Sequence, residues 1–311
     1  MKAVRFHEYG DAGVLGYEEV ERPVPGPGQV LVRVAATSFN PVDVALRAGL
    51  MQQTMPLTLP HTPGIDLAGT VAEVGPEVSG WNPGERVVAF LPLIVPGAAA
   101  EYVVAPANVL AAAPKTIDLV DAAALPTVGL TAWQALFEDA GLTAGRSILI
   151  NGAGGAVGGY AVQLARAAGA EVTATASPRS ADRVRRYGAA DVIDYTRTPV
   201  AEAARRQFDV VLNLVPTTPG ELARLARLVA DDGVLVSATT PAVAHAAPGL
   251  RTAQTLVRAD AAQLAELVAR VDAGELHVHV ADRRPLRELP EVHALAEQGR
   301  LPGKTVIVPE P

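Results

Sequence analysis

Cysteine is absent from this chain of 311 residues. Disulfides, thiolate nucleophiles and Cys-based structural zinc sites are therefore excluded together. A positive surplus is missing too: the formal charge is −7, so nothing invites nucleic acid or an anionic membrane surface. No apolar stretch runs far enough to span a bilayer without a Gly, Pro or charge interrupting it. The start, Met1-Lys2-Ala3-Val4-Arg5-Phe6, reads as a strand and lacks a signal-peptide apolar region, so a cytoplasmic location is expected. No internal repeat of roughly 20–50 residues occurs. What remains is 49% hydrophobic, enough to bury the core of one large or two ordinary domains.

The most informative stretch is Ile148-Leu149-Ile150-Asn151 followed by Gly152-Ala153-Gly154-Gly155-Ala156-Val157-Gly158. An apolar strand feeds a glycine cluster, and the cluster opens an apolar-periodic helix that ends before Gly169. A strand delivering a tight turn to a helix N-terminus presents backbone N–H groups and a positive dipole end, which suit a pyrophosphate. The spacing, Gly152-x-x-Gly155-x-x-Gly158, departs from the usual G-x-G-x-x-G, and a glycine-rich turn can also join strand to helix without any ligand. The continuation favours the nucleotide: a second strand at 171–176 completes a β-α-β unit of about 30 residues.

An NAD site usually carries Asp or Glu at the end of that second strand, to accept from the ribose hydroxyls. Here the strand ends Thr175-Ala176-Ser177-Pro178-Arg179, with no acid before Asp182. Ser177 can donate, and Arg179 offers a planar cation suited to a 2′-phosphate. A lone loop Arg is ordinarily a solvated charge; with the acid missing at this place, it favours NADP(H) over NAD(H).

From Ser147 onward strands and helices alternate, with strands at 147–151, 171–176, 191–194, 209–213, 233–238 and 253–257 and helices at 156–168, 180–187, 219–229 and 260–272. Alternation of this kind predicts a doubly wound parallel sheet. Residues 1–115 are different: strand-like runs at 2–6, 29–38, 69–74, 86–89 and 100–104 are punctuated by Pro25-Gly26-Pro27-Gly28, Pro63-Gly64 and Asn82-Pro83-Gly84, which predicts a compact β-domain. Residues 119–137 read as helical with a break at Pro126. The tail carries a helix near 289–297 and a final strand, 304–308, expected to rejoin the first domain.

Stretches along nearly the whole chain resemble the zinc-independent quinone oxidoreductases, the zeta-crystallin-like branch of the medium-chain dehydrogenase/reductase superfamily. They are Phe39-Asn40-Pro41-Val42-Asp43, residues 63–71 from Pro63-Gly64-Ile65-Asp66, Gly84-Glu85-Arg86-Val87, residues 124–133, the glycine turn with its helix, residues 188–195, and Gly303-Lys304. The resemblance implies an α/β fold: a Rossmann-type doubly wound parallel sheet plus a GroES-like β-rich catalytic domain. It puts the GroES-like domain at 1–115 and 259–311 and the NADP(H)-binding domain at 116–258. Zinc-dependent members hold the metal with a Cys near the Asn40 position and a His just after the Gly64 position. This chain has Asn40 and Ile65 there, neither a plausible ligand, so no metal is expected.

The resemblance also distributes the cofactor contacts. Asn40 and Thr127 would lie near the nicotinamide ribose and carboxamide. Gly152, Gly154, Gly155, Ala156 and Val157 would hold the pyrophosphate, and Ser177, Arg179 and Tyr195 would surround the 2′-phosphate. Leu214, Val215, Ala238 and Thr239 would face the nicotinamide, and Lys304 would reach the cofactor. Each has a plainer reading: Asn40 can cap a turn, Tyr195 can be a half-buried core aromatic, Lys304 can be solvated. Three departures stand out, one being the apolar stretch 91–100 where relatives often show a Gly-rich run before the Ala-Glu-Tyr strand. Ala156 sits where relatives often have Gly, and residues 44–47 lack the Tyr that some enoyl reductases use as proton donor.

Without a Lewis acid, the acceptor must itself be electron-poor, a quinone or an alkene conjugated to a carbonyl. The expected activity is NADPH-dependent quinone reduction, with reduction of enones, or NADPH binding without turnover, as the alternatives. No side chain stands out as a necessary acid, so the catalytic residues stay unassigned. The six histidines are scattered; His277 and His279 alternate along an expected strand, where a solvated face is the ordinary explanation. His61, between prolines, is a candidate for the substrate cleft, as are the loops near 45–60, 90–97 and 238–250. A homodimer is expected from the resemblance.

Overall fold

The computed structural model of the protein describes residues 1–241 and 250–310. It divides into two compact units, Met1–Thr127 with Ala259–Pro311, and Val128–Arg258. His245 and most of the 238–250 loop lie outside the described residues.

The first unit opens with an antiparallel pair, β1 (Lys2–Phe6) and β2 (Leu15–Glu19). Then come β3 (Gln29–Ser38), α1 (Pro41–Arg47), β4 (Asp66–Val74), β5 (Arg86–Phe90), β6 (Tyr102–Pro106), β7 (Leu110–Ala112) and α2 (Leu119–Ala122). Long β3 is the hinge of the unit's sheet: it pairs antiparallel with β4 and β6, and β4 continues to β5 and β7. Val30, Val32, Val34, Leu67, Val71 and Val87 fill the space between these strands, each close to fully buried. Burying such side chains contributes about 1.5–3 kcal/mol apiece. The segment 116–127 packs with this unit, α2 lying against β3 and β4.

The second unit is the parallel sheet. After α3 (Pro126–Trp133), whose proline sits in the first turn where no N–H is needed, a π-helical segment runs from Gln134 to Asp139. The helix expected over 119–137 is thus three pieces. Next follow β8 (Ser147–Asn151), α4 (Ala156–Ala167), β9 (Glu171–Ala176), α5 (Pro178–Arg186), β10 (Asp191–Asp194), α6 (Val200–Ala203), β11 (Phe208–Asn213), α7 (Pro219–Ala226), β12 (Val229–Ser237) and β13 (Arg251–Gln254). The strand order is β10-β9-β8-β11-β12-β13, all parallel. Central β8 and β11 are continuous apolar runs because both faces of the sheet are covered: Ile148, Leu149, Ile150, Val210, Val211 and Leu212 are fully buried. The chain steps outward from β8 to β10 and then returns to the other side of β8, so the switch point lies between β8 and β11.

The tail returns to the first unit as α8 (Ala261–Asp272), β14 (Asp282–Pro285), α9 (Leu289–Glu297) and β15 (Thr305–Val308). β15 pairs antiparallel with the end of β3, Val306 opposite Ser38. Leu286, Leu289, Val292 and Ile307 share a core with Val4, Phe6 and Phe39. The strand expected around His277 and His279 is irregular chain with both residues exposed; regular pairing begins only at Asp282. Among the described residues no helix is long and apolar enough to cross a membrane.

Candidate functional site

In the parallel unit the candidate residues gather at the carboxyl ends of the strands. The turn after β8 is tight because two glycines make it so. Gly152 has φ +95°, and a Cβ there would stand 2.7 Å from Val215 Cγ1. A Cβ on Gly158 would stand 2.3 Å from the Gly152 carbonyl oxygen, so the glycine lets α4 pack directly on the turn. Gly155 caps α4 with no side-chain oxygen, which leaves the N–H groups of the first helical turn, beginning at Ala156 and Val157, without a side-chain acceptor. A pyrophosphate would suit this arrangement of uncapped N–H donors at the positive end of a helix dipole.

Beneath the turn a neutral polar network joins residues at the carboxyl ends of four strands. The Thr175 hydroxyl donates to Asn151 Oδ1 at 3.0 Å and accepts from the Gly152 N–H at 2.9 Å. Asn151 Nδ2 donates to Asn213 Oδ1 at 2.9 Å. Asn213 Nδ2 in turn donates to the Val215 carbonyl at 3.0 Å and to Ser237 Oγ at 3.3 Å. All four side chains are buried, so each needs its partners. The network sets the path of Leu214 and Val215, and the Thr239 hydroxyl donates to the Val215 carbonyl at 2.7 Å. Leu214, Val215, Ala238 and Thr239 thus leave neighbouring strand ends, with the Ala238 N–H on the Asn213 carbonyl.

At the outer strands, Ala176 pairs with Asp194, so Ser177 and Tyr195 leave the sheet side by side. Ser177 caps α5, whose first turn holds no acid. Arg179 is exposed there, and Tyr195 is exposed as well rather than part of the core. Arg183, which sequence reasoning passed over, donates from Nη2 to the Gly154 carbonyl at 2.8 Å and ties α5 to the glycine turn.

In the β-rich unit the candidates Asn40, Thr127 and Lys304 converge on one residue that sequence reasoning quoted only as part of a motif, Asp66. The β3–β15 register brings Lys304 across from Asn40, and the β3–β4 register brings Ser38 toward Asp66. Asp66 is fully buried. Its Oδ1 accepts the Thr127 N–H at 2.7 Å. Its Oδ2 accepts from the Ser38 hydroxyl, from Asn40 Nδ2 at 2.8 Å and from Lys304 Nζ at 3.0 Å. Asn40 does cap: it precedes α1, and its N–H donates to Asp43 Oδ2 at 2.9 Å.

Asp43 also accepts from the Gly64 N–H at 3.2 Å. Burial pushes its carboxyl up to about 7, against the pull of these two N–H groups. It lines a small cavity with His61, Thr62 and Gly64. His61 is itself buried, its ring 5.5 Å from that of Phe6, and burial lowers its pKa to about 4. Among the described residues no three His, Asp or Glu side chains converge as a metal site.

Known proteins share this architecture. Residues 26–115 match the alcohol dehydrogenase GroES-like domain, and residues 187–307 match the zinc-binding dehydrogenase family. The chain is 33% identical to a chloroplast envelope quinone oxidoreductase homolog of Arabidopsis thaliana, over 99% of this chain and 98% of that one. It is 33% identical to the 2-methylene-furan-3-one reductase of Solanum lycopersicum, over 100% of this chain and 80% of that one. The quinone oxidoreductase from Coxiella burnetii superposes with a TM-score of 0.90 at 29% identity, with 99% of each chain covered. Fold, glycine turn and relatives agree: the chain belongs to the quinone oxidoreductase branch of the medium-chain dehydrogenase/reductase superfamily.

Proposed function

We propose that this protein is an NADPH-dependent, zinc-independent quinone oxidoreductase. The observation that carries the reading is the environment of Asn40. Where zinc-dependent relatives have a cysteine ligand, this chain has an amide whose oxygen is held by the ammonium of Lys304 at 2.7 Å. Ile65 stands at the His position, and no cysteine exists elsewhere in the chain. This donor set does not fit zinc.

A nicotinamide cofactor fits better. The N–H groups at the start of α4 would hold its pyrophosphate, Ser177, Arg179 and Tyr195 its 2′-phosphate, and Asn40 and Thr127 its nicotinamide end. The bound cofactor supplies the hydride. The chain's part is to hold donor and acceptor together and exclude water. With Asn40 and Ile65 at the positions where zinc-dependent relatives hold the metal, an acceptor that is already electron-poor is favoured, and a quinone meets that need. The test is oxidation of NADPH by 1,4-benzoquinone and 9,10-phenanthrenequinone with and without a chelator. Saturable turnover indifferent to chelator is expected; loss of turnover on chelation would defeat the zinc-independent reading.

The likeness to a 2-methylene-furan-3-one reductase favours a second reading, reduction of a conjugated alkene. Turnover of a 2-alkenal but of neither quinone would establish it in place of the first. A cytoplasmic homodimer completes the proposal, with β10 and β13 as the two edge strands of the parallel sheet among the described residues. A single species of monomer mass by light scattering would remove the dimer.

A further inference from the structure

Lys304 is a buried cation, only 6% exposed. Its ammonium meets three oxygens of three kinds: the Phe39 carbonyl at 3.2 Å, Asn40 Oδ1 at 2.7 Å and Asp66 Oδ2 at 3.0 Å. An ammonium has three donors and no acceptor. All three are engaged, so none is left for a nucleotide. Carbonyl, amide and carboxylate oxygens are also the ligands of a hard metal ion; here the chain supplies the cation itself.

The consequence falls on Asn40. Its Nδ2 donates to the Ser38 carbonyl at 3.2 Å and to Asp66 Oδ2 at 2.8 Å, which uses both amide donors. Lys304 only donates and a carboxylate only accepts, so together they allow one orientation of the amide. With both amide donors spent, any further bond to Asn40 must be accepted at Oδ1, which already takes the Lys304 ammonium and faces the Asp43 N–H in the capping box of α1. We infer that Lys304 is a positioning residue: a built-in cation that, with Asp66, locks the Asn40 amide so that it offers an acceptor to an N–H or O–H donor of the nicotinamide end of the cofactor. This rests on the nucleotide reading above and changes the part expected of Lys304 from contact to orientation.

The test is chemical rescue. Lys304→Ala removes the cation and most of its stem, and n-propylammonium can return both. In the full-length protein, n-propylammonium is expected to raise the melting temperature of Lys304→Ala saturably, with no such rise for the wild type and none from neutral 1-propanol. The variant's Kd for NADPH is expected to rise about ten- to hundredfold, as when a group that orients a ligand is lost, and to recover with n-propylammonium. Equal rescue by 1-propanol, or wild-type NADPH affinity in the unrescued variant, would overturn the inference.

Should Lys304→Ala fail to fold, Asp66→Asn/Lys304→Met removes both buried charges at nearly constant volume, a change proteins often tolerate. It is expected to fold and still bind NADPH weakly; wild-type affinity would overturn the inference. A wild type that binds no nicotinamide nucleotide would sink the functional reading. The melting experiment without nucleotide would then still decide whether the ammonium is a replaceable cation.

Discussion

The strand-end network of the β-rich unit is charged, and that of the parallel unit is neutral. In the first, an Asp66–Lys304 ion pair gathers Ser38, Asn40 and the Thr127 N–H. In the second, two amides and two hydroxyls hold the ends of β8, β9, β11 and β12 at one level. Both are buried, and both fix backbone that the proposed cofactor would touch. The difference lies in what happens when a member is removed. A buried charge left without its partner is strongly destabilising, whereas an orphaned amide loses one ordinary desolvation penalty.

The largest effect should therefore come from Asp66→Ala, which strands the Lys304 ammonium and frees the Thr127 N–H. A loss of about 3–5 kcal/mol by urea denaturation is expected. A loss under about 1 kcal/mol would break the contrast, since the ion pair would then be no different from a surface one. Next comes Asn213→Leu, close in volume, which unseats Asn151, Val215 and Ser237 and should lose about 1–3 kcal/mol. Asn151→Leu combined with it should be less than additive because the two amides share a bond. Full additivity would mean that the four strand ends are held independently.

The pH dependence sharpens the comparison within the β-rich unit. His293 is fully buried, neither ring nitrogen has a hydrogen-bond partner among the described residues, and burial together with the nearby Arg47 lowers its pKa to about 3. A folded pKa below the unfolded 6.5 means that protonation favours unfolding, so stability falls as pH drops below about 6.5. His61 adds to this with the same sign. Asp43 acts in the opposite direction: raised from 3.8 to about 7, its carboxyl disfavours the folded state progressively as pH rises through that window. His293→Leu should flatten the acid limb of a stability–pH profile. Asp43→Asn should stabilise more near pH 8 than near pH 5. An unchanged acid limb in His293→Leu would assign acid unfolding to other groups.

The parallel unit was the more legible of the two, and the reason is locality. Strand, glycine turn and helix follow one another within 148–167, and each has its own periodicity. The missing acid after Ala176 is likewise a local fact. Asn151, Thr175 and Ser237 could be seen as polar residues closing apolar strands. Their linkage could not, because it depends on β11 inserting beside β8 rather than next to β10.

The charged hub is less visible still: Asp66 and Lys304 lie 238 positions apart and meet only because β15 adds to β3. Short α1 went unread although Asn40-Pro41 and Asp43 are its cap and first turn. The alternation of His277 and His279 suggested a strand where none forms, since two residues of matching spacing do not provide a pairing partner.

The central claim, a nucleotide site that prefers the 2′-phosphate, is tested most directly by fluorescence titration of the wild type and of Arg179→Ala with NADPH and NADH. The account predicts tighter binding of NADPH, and in Arg179→Ala a selective weakening toward NADPH of about tenfold, the size of one lost charge-assisted contact. Equal affinity of the wild type for the two nucleotides would contradict it.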